Sequence, residues 1–409
     1  MNGHKGVYQN STELINLGGT PFYMNDFLDA CLYGRLNLFL QGDTGSGKTQ
    51  LAKDAMDYFP DKSMFILGRN DMDTRELFQQ INLKKLKTGT SSQELKELTD
   101  KVNYKLFVVD ELPNCVPAVR AQLFNLFDGF IEINGKTYPI GNDYSIGIAT
   151  GNLGQKFTES SNDLGRALKD RMHVTIDTDY FKPTALDTFN ILSNNTNPRV
   201  DFIQTSENGD LEKKILKAHN EVISQEIPFE KLLLANYLIH GLDYINIDGK
   251  ETTKTRLKDA WPNDITNFGQ GSDEALILPV SPRAAKSIIR LSQAFDYIAK
   301  EKGLSQEEIQ KFYFDSMMQA YKFVGAYSGI LNEIAVREKY GNDKYSALDA
   351  VITTTRTQFD EKEKAIQEGI GMVNEGKKYQ KVLNQFGGRW KFMRNFLEET
   401  IERNKNEEK

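Results

Sequence analysis

Short apolar runs alternate with amphipathic stretches across residues 23–180. Each run is bounded by polar residues or glycine, as buried parallel strands usually are, and the stretches between them have helical spacing. This alternation predicts an α/β domain in which a parallel sheet is layered with helices. The predicted strands are residues 36–40, 64–67, 106–109, 145–149 and 174–176.

A strict alternation of apolar and polar positions at residues 131–140 surrounds the dipeptide Asn134-Gly135. Asn-Gly tolerates the positive φ angles of a two-residue hairpin turn. The pattern therefore predicts a β-hairpin that projects from the α/β domain.

After Pro183 the apolar positions follow helical spacing, at residues 211–223 and 229–242. A further helix is predicted at residues 282–300, because it begins with serine followed by proline, a favourable N-cap and first turn.

Residues 243–273 are rich in Asn, Gly, Asp and Thr, which predicts a loop-rich insertion with little core of its own. The last hundred residues carry apolar stripes at helical spacing. These stripes must pack on this chain or on a neighbouring one.

Composition narrows the class of protein. At roughly 100 to 200 residues per domain, 409 residues imply two or three domains. No apolar run approaches the roughly 20 residues of a membrane-spanning helix, so we expect a soluble protein without a membrane partner. With a net charge of -6, the chain lacks the excess of basic residues that is typical of a dedicated nucleic-acid binder. A local basic patch that binds nucleic acid is still compatible with this net charge. Two cysteines and an N-terminus without a signal-peptide pattern favour the cytoplasm.

The first candidate site is a phosphate-binding loop (P-loop) between the first predicted strand and an amphipathic run at residues 50–59. It matches G-x-x-x-x-G-K-[ST] and consists of Gly42, Asp43, Thr44, Gly45, Ser46, Gly47, Lys48 and Thr49. Glycines let backbone N–H groups converge on phosphates at a helix N-terminus. Lys48 would face the β and γ phosphates of ATP, and Thr49 would offer a hydroxyl to Mg²⁺. The alternative is a glycine-rich turn without nucleotide.

An acidic pair, Asp110 and Glu111, ends the third predicted strand. Asp110 would complete the Mg²⁺ shell, commonly through water. Glu111 lies where a carboxylate polarises the attacking water as a general base. Asn152 follows the fourth strand, where it is either a further site residue or a turn residue.

Together these motifs resemble AAA+ ATPases, and among them the MoxR-like branch with its chelatase relatives. The resemblance covers about residues 20–300 and includes the P-loop, the acidic pair and a hairpin that ends in Tyr-Pro. Three further motifs are Ile148-Ala-Thr-Gly-Asn152, Ala167-Leu-Lys-Asp-Arg171-Met172 and Ser281-Pro-Arg283-Ala284.

The resemblance implies an α/β P-loop NTPase fold with a five-stranded parallel sheet, an α-helical lid and a helical C-terminal extension. The corresponding domains are residues 1–182 for nucleotide binding, 183–303 for the lid with its insertion, and 304–409 for the extension.

The resemblance also assigns roles. Asn152 would be sensor 1, between the γ-phosphate and the attacking water. Arg171 would be the arginine finger that reaches the γ-phosphate of the adjacent subunit, with Arg166 as the alternative. Arg283 would be sensor 2, the lid arginine that touches nucleotide in its own subunit.

The resemblance implies that the chain would be a Mg²⁺-dependent ATPase that forms a homo-oligomeric ring, expected to be a hexamer, and that it would remodel or mature a protein partner as a chaperone. The expected partner carries an adhesion-type (von Willebrand A-like) domain. One alternative is a nucleic-acid motor, a translocase or helicase of viral or plasmid type, with the hairpin in a central pore. Another is a nucleotide-gated assembly protein.

Overall fold

The computed structural model describes residues 6–69, 78–81, 96–133, 135–152, 168–194, 197, 199–200, 209–257, 261 and 273–407. The chain forms two compact units. The first, here called the α/β unit, comprises Met1–Glu226 and Arg290–Phe312, and the second, the helical unit, comprises Ile227–Ile289 and Tyr313–Lys409. The division into three domains at residues 182 and 303 stays a prediction.

The strands are β1 Ile15–Leu17, β2 Thr20–Phe22, β3 Leu38–Gln41, β4 Ser63–Leu67, β5 Gln79–Ile81, β6 Lys96–Leu98, β7 Leu106–Asp110, β8 Phe130–Ile133, β9 Lys136–Pro139, β10 Ile146–Gly151, β11 Val174–Asp177, β12 Tyr244–Ile247 and β13 Lys250–Thr253. The α-helices are α1 Met24–Gly34, α2 Lys48–Met56, α3 Pro117–Phe127, α4 Ala185–Asn194, α5 Gly209–Ser224, α6 Phe229–Asn236, α7 Lys254–Leu257, α8 Pro282–Glu301, α9 Gln306–Lys311, α10 Tyr313–Gly325, α11 Glu333–Tyr340, α12 Lys344–Asn374, α13 Gln380–Leu383 and α14 Lys391–Glu407. Short 3₁₀ turns span Asp100–Asn103, Leu112–Asn114 and Gly388–Trp390, and a π-helical turn spans Tyr237–Gly241.

The α/β unit is built on a five-stranded sheet in the order β11-β3-β10-β7-β4, in which every pairing is parallel. All five predicted strands lie in this sheet, so the predicted fold class is confirmed. Strands β3, β7, β10 and β11 are buried along most of their length because helices cover a parallel sheet on its faces, whereas β4 at the edge is only partly buried. Parallel strands also bring their carboxyl ends to one edge, and the candidate site lies at that edge.

The predicted hairpin is confirmed as β8 and β9, which pair antiparallel from Phe130 opposite Pro139 to Ile133 opposite Lys136. Gly135 in the turn has φ 73°, a backbone conformation that favours glycine. Asn134 lies outside the described residues. Ile131 and Ile133 are buried on one side of the hairpin, whereas Gly135 and Lys136 are exposed.

The helical unit explains the apolar stripes near the end of the chain. Trp390, Met393 and Leu397 are almost fully buried, and Trp390 packs against Tyr237 and Phe359 within the same unit. These stripes therefore pack on this chain, one of the two possibilities that the sequence left open.

The segment at residues 243–273 begins with more structure than its polar composition suggests. Strands β12 and β13 form an antiparallel hairpin, and α7 follows directly. Lys254 is 1% exposed, and its ammonium group donates to the carbonyl of Ile277 at 2.6 Å. This buried contact fixes the chain directly after the hairpin. The hairpin itself could not be predicted, because its sequence has no apolar periodicity. Among the described helices, none is both long enough and apolar enough to cross a bilayer.

Candidate nucleotide site

The P-loop lies between the end of β3 and the start of α2, as the motif requires. Gly45 and Gly47 have φ angles of 85° and 84°, in the left-handed region that glycine adopts without strain. A Cβ atom at Gly47 would lie 2.7 Å from the ring of Tyr8, so a side chain cannot fit there. The loop needs glycine for its backbone turn and for close packing.

Lys48 is 6% exposed and lies inside the loop that it follows. Its ammonium group donates to the carbonyl oxygens of Gly42 at 2.9 Å and Asp43 at 2.7 Å, and to Ser46 Oγ at 3.3 Å. Burial lowers the pKa of Lys48, an effect that the nearby carboxylates oppose, Glu111 foremost. The cation is therefore held at the phosphate cradle.

The two predicted metal ligands meet at the end of β7. Thr49 Oγ1 donates to Asp110 Oδ1 at 3.1 Å, and Asp110 is buried. A hydroxyl and a carboxylate are oxygen donors of the kind that Mg²⁺ prefers, with the remaining positions taken by water and phosphate oxygens. The donor chemistry of this pair fits Mg²⁺ bound to ATP.

Glu111 turns the chain sharply away from β7. Its φ angle is 56°, and its backbone N–H donates to Thr150 Oγ1 at 3.1 Å, while Thr150 donates to Asp110 Oδ1 at 2.5 Å. Desolvation by burial raises the pKa of Glu111, repulsion from Asp110 adds to the rise, and Lys48 opposes it. A carboxylate with a raised pKa beside a cation suits a general base.

Asn152 follows β10, the strand between β3 and β7. Its side-chain amide donates to Thr44 Oγ1 at 3.4 Å, which brings it to the P-loop. Its Oδ1 atom is buried, and the described residues offer it no hydrogen-bond donor. An acceptor in this position can receive an O–H group of a water molecule.

Arg171 lies away from the P-loop of its own chain. It precedes β11, and the register pairs Val174 with Leu38, at the amino end of β3. The P-loop follows the carboxyl end of β3. The four residues of β3 separate Leu38 from the start of the P-loop by about 13 Å. Arg171 Nε donates to Asp128 Oδ2 at 2.8 Å, and its guanidinium lies over the ring of Phe124.

The other two predicted arginines are Arg166 and Arg283. Arg166 lies outside the described residues. Arg283 belongs to the helical unit, in the first turn of α8, where Ser281 Oγ accepts the N–H of Ala284 at 3.1 Å as the N-cap. The predicted helix start is confirmed, and the role of Arg283 as sensor 2 stays a prediction.

Among the described residues, Tyr8, Thr150, Thr178 and Asp179 contact the site although the sequence assigns them no role. Thr150 connects Asp110 with the backbone of Glu111, and its position at the end of a predicted strand was the available signal. Thr178 and Asp179 follow β11 and contact the P-loop through Ser46 and Asp43. Only the strand order reveals these two contacts.

Known proteins resemble this chain in sequence and in fold. Residues 37–172 match the family model of the AAA domain, dynein-related subfamily. The crystal structure of a putative ATPase from Cytophaga hutchinsonii ATCC 33406 is similar in fold, with a TM-score of 0.52 and 20% sequence identity over 82% of this chain and 91% of that chain. No curated protein matches the sequence significantly. Residues 37–172 are therefore an AAA domain, and the α/β unit carries the nucleotide-binding fold of the AAA+ ATPases.

Proposed function

We propose that this chain is a Mg²⁺-dependent ATPase that assembles into a ring, expected to be a hexamer, and remodels a protein partner as a MoxR-like chaperone in the cytoplasm. The observation that carries the proposal is the convergence of one cation, two metal-binding oxygens, a base and an amide at one edge of the sheet. These residues are Lys48, Thr49, Asp110, Glu111 and Asn152.

Each of these residues has a separate task in hydrolysis. Lys48 gives up its carbonyl contacts to face the β and γ phosphates. Thr49 and Asp110 would hold Mg²⁺, which supplies charge neutralisation on the phosphate oxygens when bound. Glu111 removes a proton from the attacking water, and Asn152 accepts a hydrogen bond from that water through Oδ1. A buried, partly desolvated site strengthens all of these interactions.

The position of Arg171 supports assembly into a ring. The register places the start of β11, which follows Arg171, about 13 Å along β3 from the P-loop, and this separation favours action of Arg171 on the γ-phosphate of a neighbouring subunit. A contact between two different faces of the same chain is heterologous, and it generates closed rings when the rotation closes. Asp128 would hold Arg171 until the neighbouring phosphate competes for the guanidinium.

The resemblance to MoxR-like proteins suggests a partner with an adhesion-type domain. The hairpin of β8 and β9 gives no support to a nucleic-acid partner, because Lys136 is its only cation and Glu132 offsets that charge. Binding to DNA that weakens steeply with added salt would favour the motor instead.

The first experiment replaces the proposed base. Glu111→Gln keeps the size and polarity of the side chain but cannot accept the proton, so ATP should bind normally while hydrolysis slows by about 10²- to 10⁴-fold. Lys48→Ala is the control for the loop, since it should weaken ATP binding itself. Hydrolysis near the wild-type rate in Glu111→Gln would refute the proposed mechanism. ATP-dependent assembly of the wild type without any turnover would instead favour the assembly protein.

A second experiment tests the ring. Arg171→Ala subunits keep their own P-loop, and Lys48→Ala subunits keep their arginine finger. If sites are shared, mixing the two inactive variants should restore part of the ATPase activity. Co-assembled rings that stay inactive would show that Arg171 does not act on a neighbour, and Arg166→Ala should then be tested in its place.

A further inference from the structure

The turn at residues 177–180 lies beside the P-loop, because β11 pairs in parallel with β3 and Asp177 is opposite Gln41. Asp177 Oδ1 accepts the backbone N–H groups of Asp179 at 2.9 Å and Tyr180 at 3.1 Å, and Oδ2 accepts the amide of Gln41 at 2.9 Å. One carboxylate thus fixes the turn and ties it to the strand that leads into the P-loop.

Two side chains of this turn hold the P-loop at its second residue, Asp43, and at its fifth, Ser46. Thr178 is fully buried, and its hydroxyl lies 2.7 Å from Ser46 Oγ and 2.9 Å from the carbonyl oxygen of Gln41. Asp179 Oδ2 accepts the backbone N–H of Asp43 at 2.7 Å. The shape of the loop is therefore set partly from outside the loop.

Lys48 contacts the same two P-loop residues that the turn holds. Its ammonium group donates to the carbonyl of Asp43 and to Ser46 Oγ. When the ammonium faces a phosphate instead, the loop loses these contacts. Its shape then depends more heavily on Thr178 and Asp179, so the turn can keep the phosphate cradle preformed.

Asp179 also brings a negative charge to the cradle. Its carboxylate accepts the N–H of Asp43, the residue whose carbonyl oxygen accepts the ammonium of Lys48, and its charge opposes the lowering of the Lys48 pKa by burial. A phosphate at Lys48 has the same sign as the Asp179 carboxylate and is repelled by it. The hydrogen bond of Asp179 therefore favours nucleotide binding, whereas its charge opposes it.

We propose that Thr178 and Asp179 are positioning residues that preform the P-loop and set its affinity for ATP. This inference rests on the function proposed above. Neither side chain need touch the reacting atoms, so their removal should raise KM for ATP and leave kcat nearly unchanged.

The test uses the full chain and two pairs of variants, each with a matched control. Thr178→Val and Asp179→Ala remove the contacts and should raise KM, and the Kd of Mg²⁺-ADP, about three- to tenfold. Thr178→Ser keeps the hydroxyl and should behave as the wild type. Asp179→Asn keeps an acceptor oxygen for Asp43 and removes the charge, so it should bind nucleotide as tightly as the wild type or more tightly.

The outcomes separate this inference from the proposed function. A wild-type chain that neither binds nor hydrolyses ATP would refute the proposed function itself. A wild type that hydrolyses ATP, together with an Asp179→Ala variant of unchanged KM, would overturn only the inference. Asp179→Asn as weak as Asp179→Ala would exclude the hydrogen bond as the cause. If Thr178→Val fails to fold, the exposed Asp179 still provides the test.

Discussion

Arg389→Ala should destabilise the helical unit by removing the partner of a buried carboxylate. Arg389 forms a two-pronged contact with Asp273 at 2.8 and 3.0 Å and donates to the hydroxyl of Tyr237 at 3.0 Å. The Asp273 side chain is only 4% exposed. Removing one partner of a buried ion pair costs about 3 to 5 kcal/mol because the other charge stays buried. The buried Lys254 attracts Asp273 as well, so we expect about 3 kcal/mol.

Urea unfolding followed by tryptophan fluorescence measures this loss. The two tryptophans of the chain, Trp261 and Trp390, both belong to the helical unit, so their signal reports that unit. With a slope of about 2 kcal/mol per molar urea, the midpoint should fall by about 1.5 M. Lys391→Ala, an exposed neighbour on α14, is the control and should change stability by less than about 0.5 kcal/mol.

A double variant tests the cause of the loss. If the unpaired charge is responsible, Asp273→Asn added to Arg389→Ala should recover at least about 1 kcal/mol of stability, because a neutral amide costs less to bury than a carboxylate. A loss below about 1 kcal/mol in Arg389→Ala, or a double variant no more stable than the single one, would refute the reasoning.

Two further predictions concern the nucleotide site. Gly47→Ala should abolish tight ATP binding in a direct binding assay, because its φ of 84° and its contact with Tyr8 leave no room for a methyl group; normal affinity would contradict the loop geometry. The hydrolysis rate should fall as the pH is lowered into the acid range in which Glu111 takes up a proton, because only the ionised carboxylate accepts a proton from water; burial raises the pKa of Glu111 in the nucleotide-free chain. A rate that is constant through this range would show that Glu111 is not the base.

Much of the α/β unit could be predicted from the sequence because buried parallel strands are continuous apolar runs between polar residues. Strands such as Leu106–Asp110 and Val174–Asp177 were placed to within two residues. The short strands Ile15–Leu17 and Thr20–Phe22 were missed, because three residues show no periodicity. The hairpin of β12 and β13 was missed since its residues are mostly polar.

The candidate site was predicted as far as its residues follow motifs. Lys48 and Glu111 follow a strand at a fixed distance and Asp110 is the last residue of one, so sequence spacing identified them. The partners that orient them could not be identified in this way. Contacts such as Thr178 to Ser46 join residues more than a hundred positions apart, and they depend on which strands are neighbours in the sheet.

The order of strands in the sheet has a consequence for how the protein is made. Strand β3 precedes both of its neighbours, β10 and β11, by a long stretch of chain, and Gln41 contacts Asp177 across 136 residues. A ribosome that adds about 5 to 20 residues per second needs on the order of 10 s to supply that interval. During synthesis the apolar β3 has no partner strand, so the P-loop should acquire its shape late, after β11 has emerged. Non-local pairing of this kind slows folding, and the nascent chain should depend on protection of β3 until then.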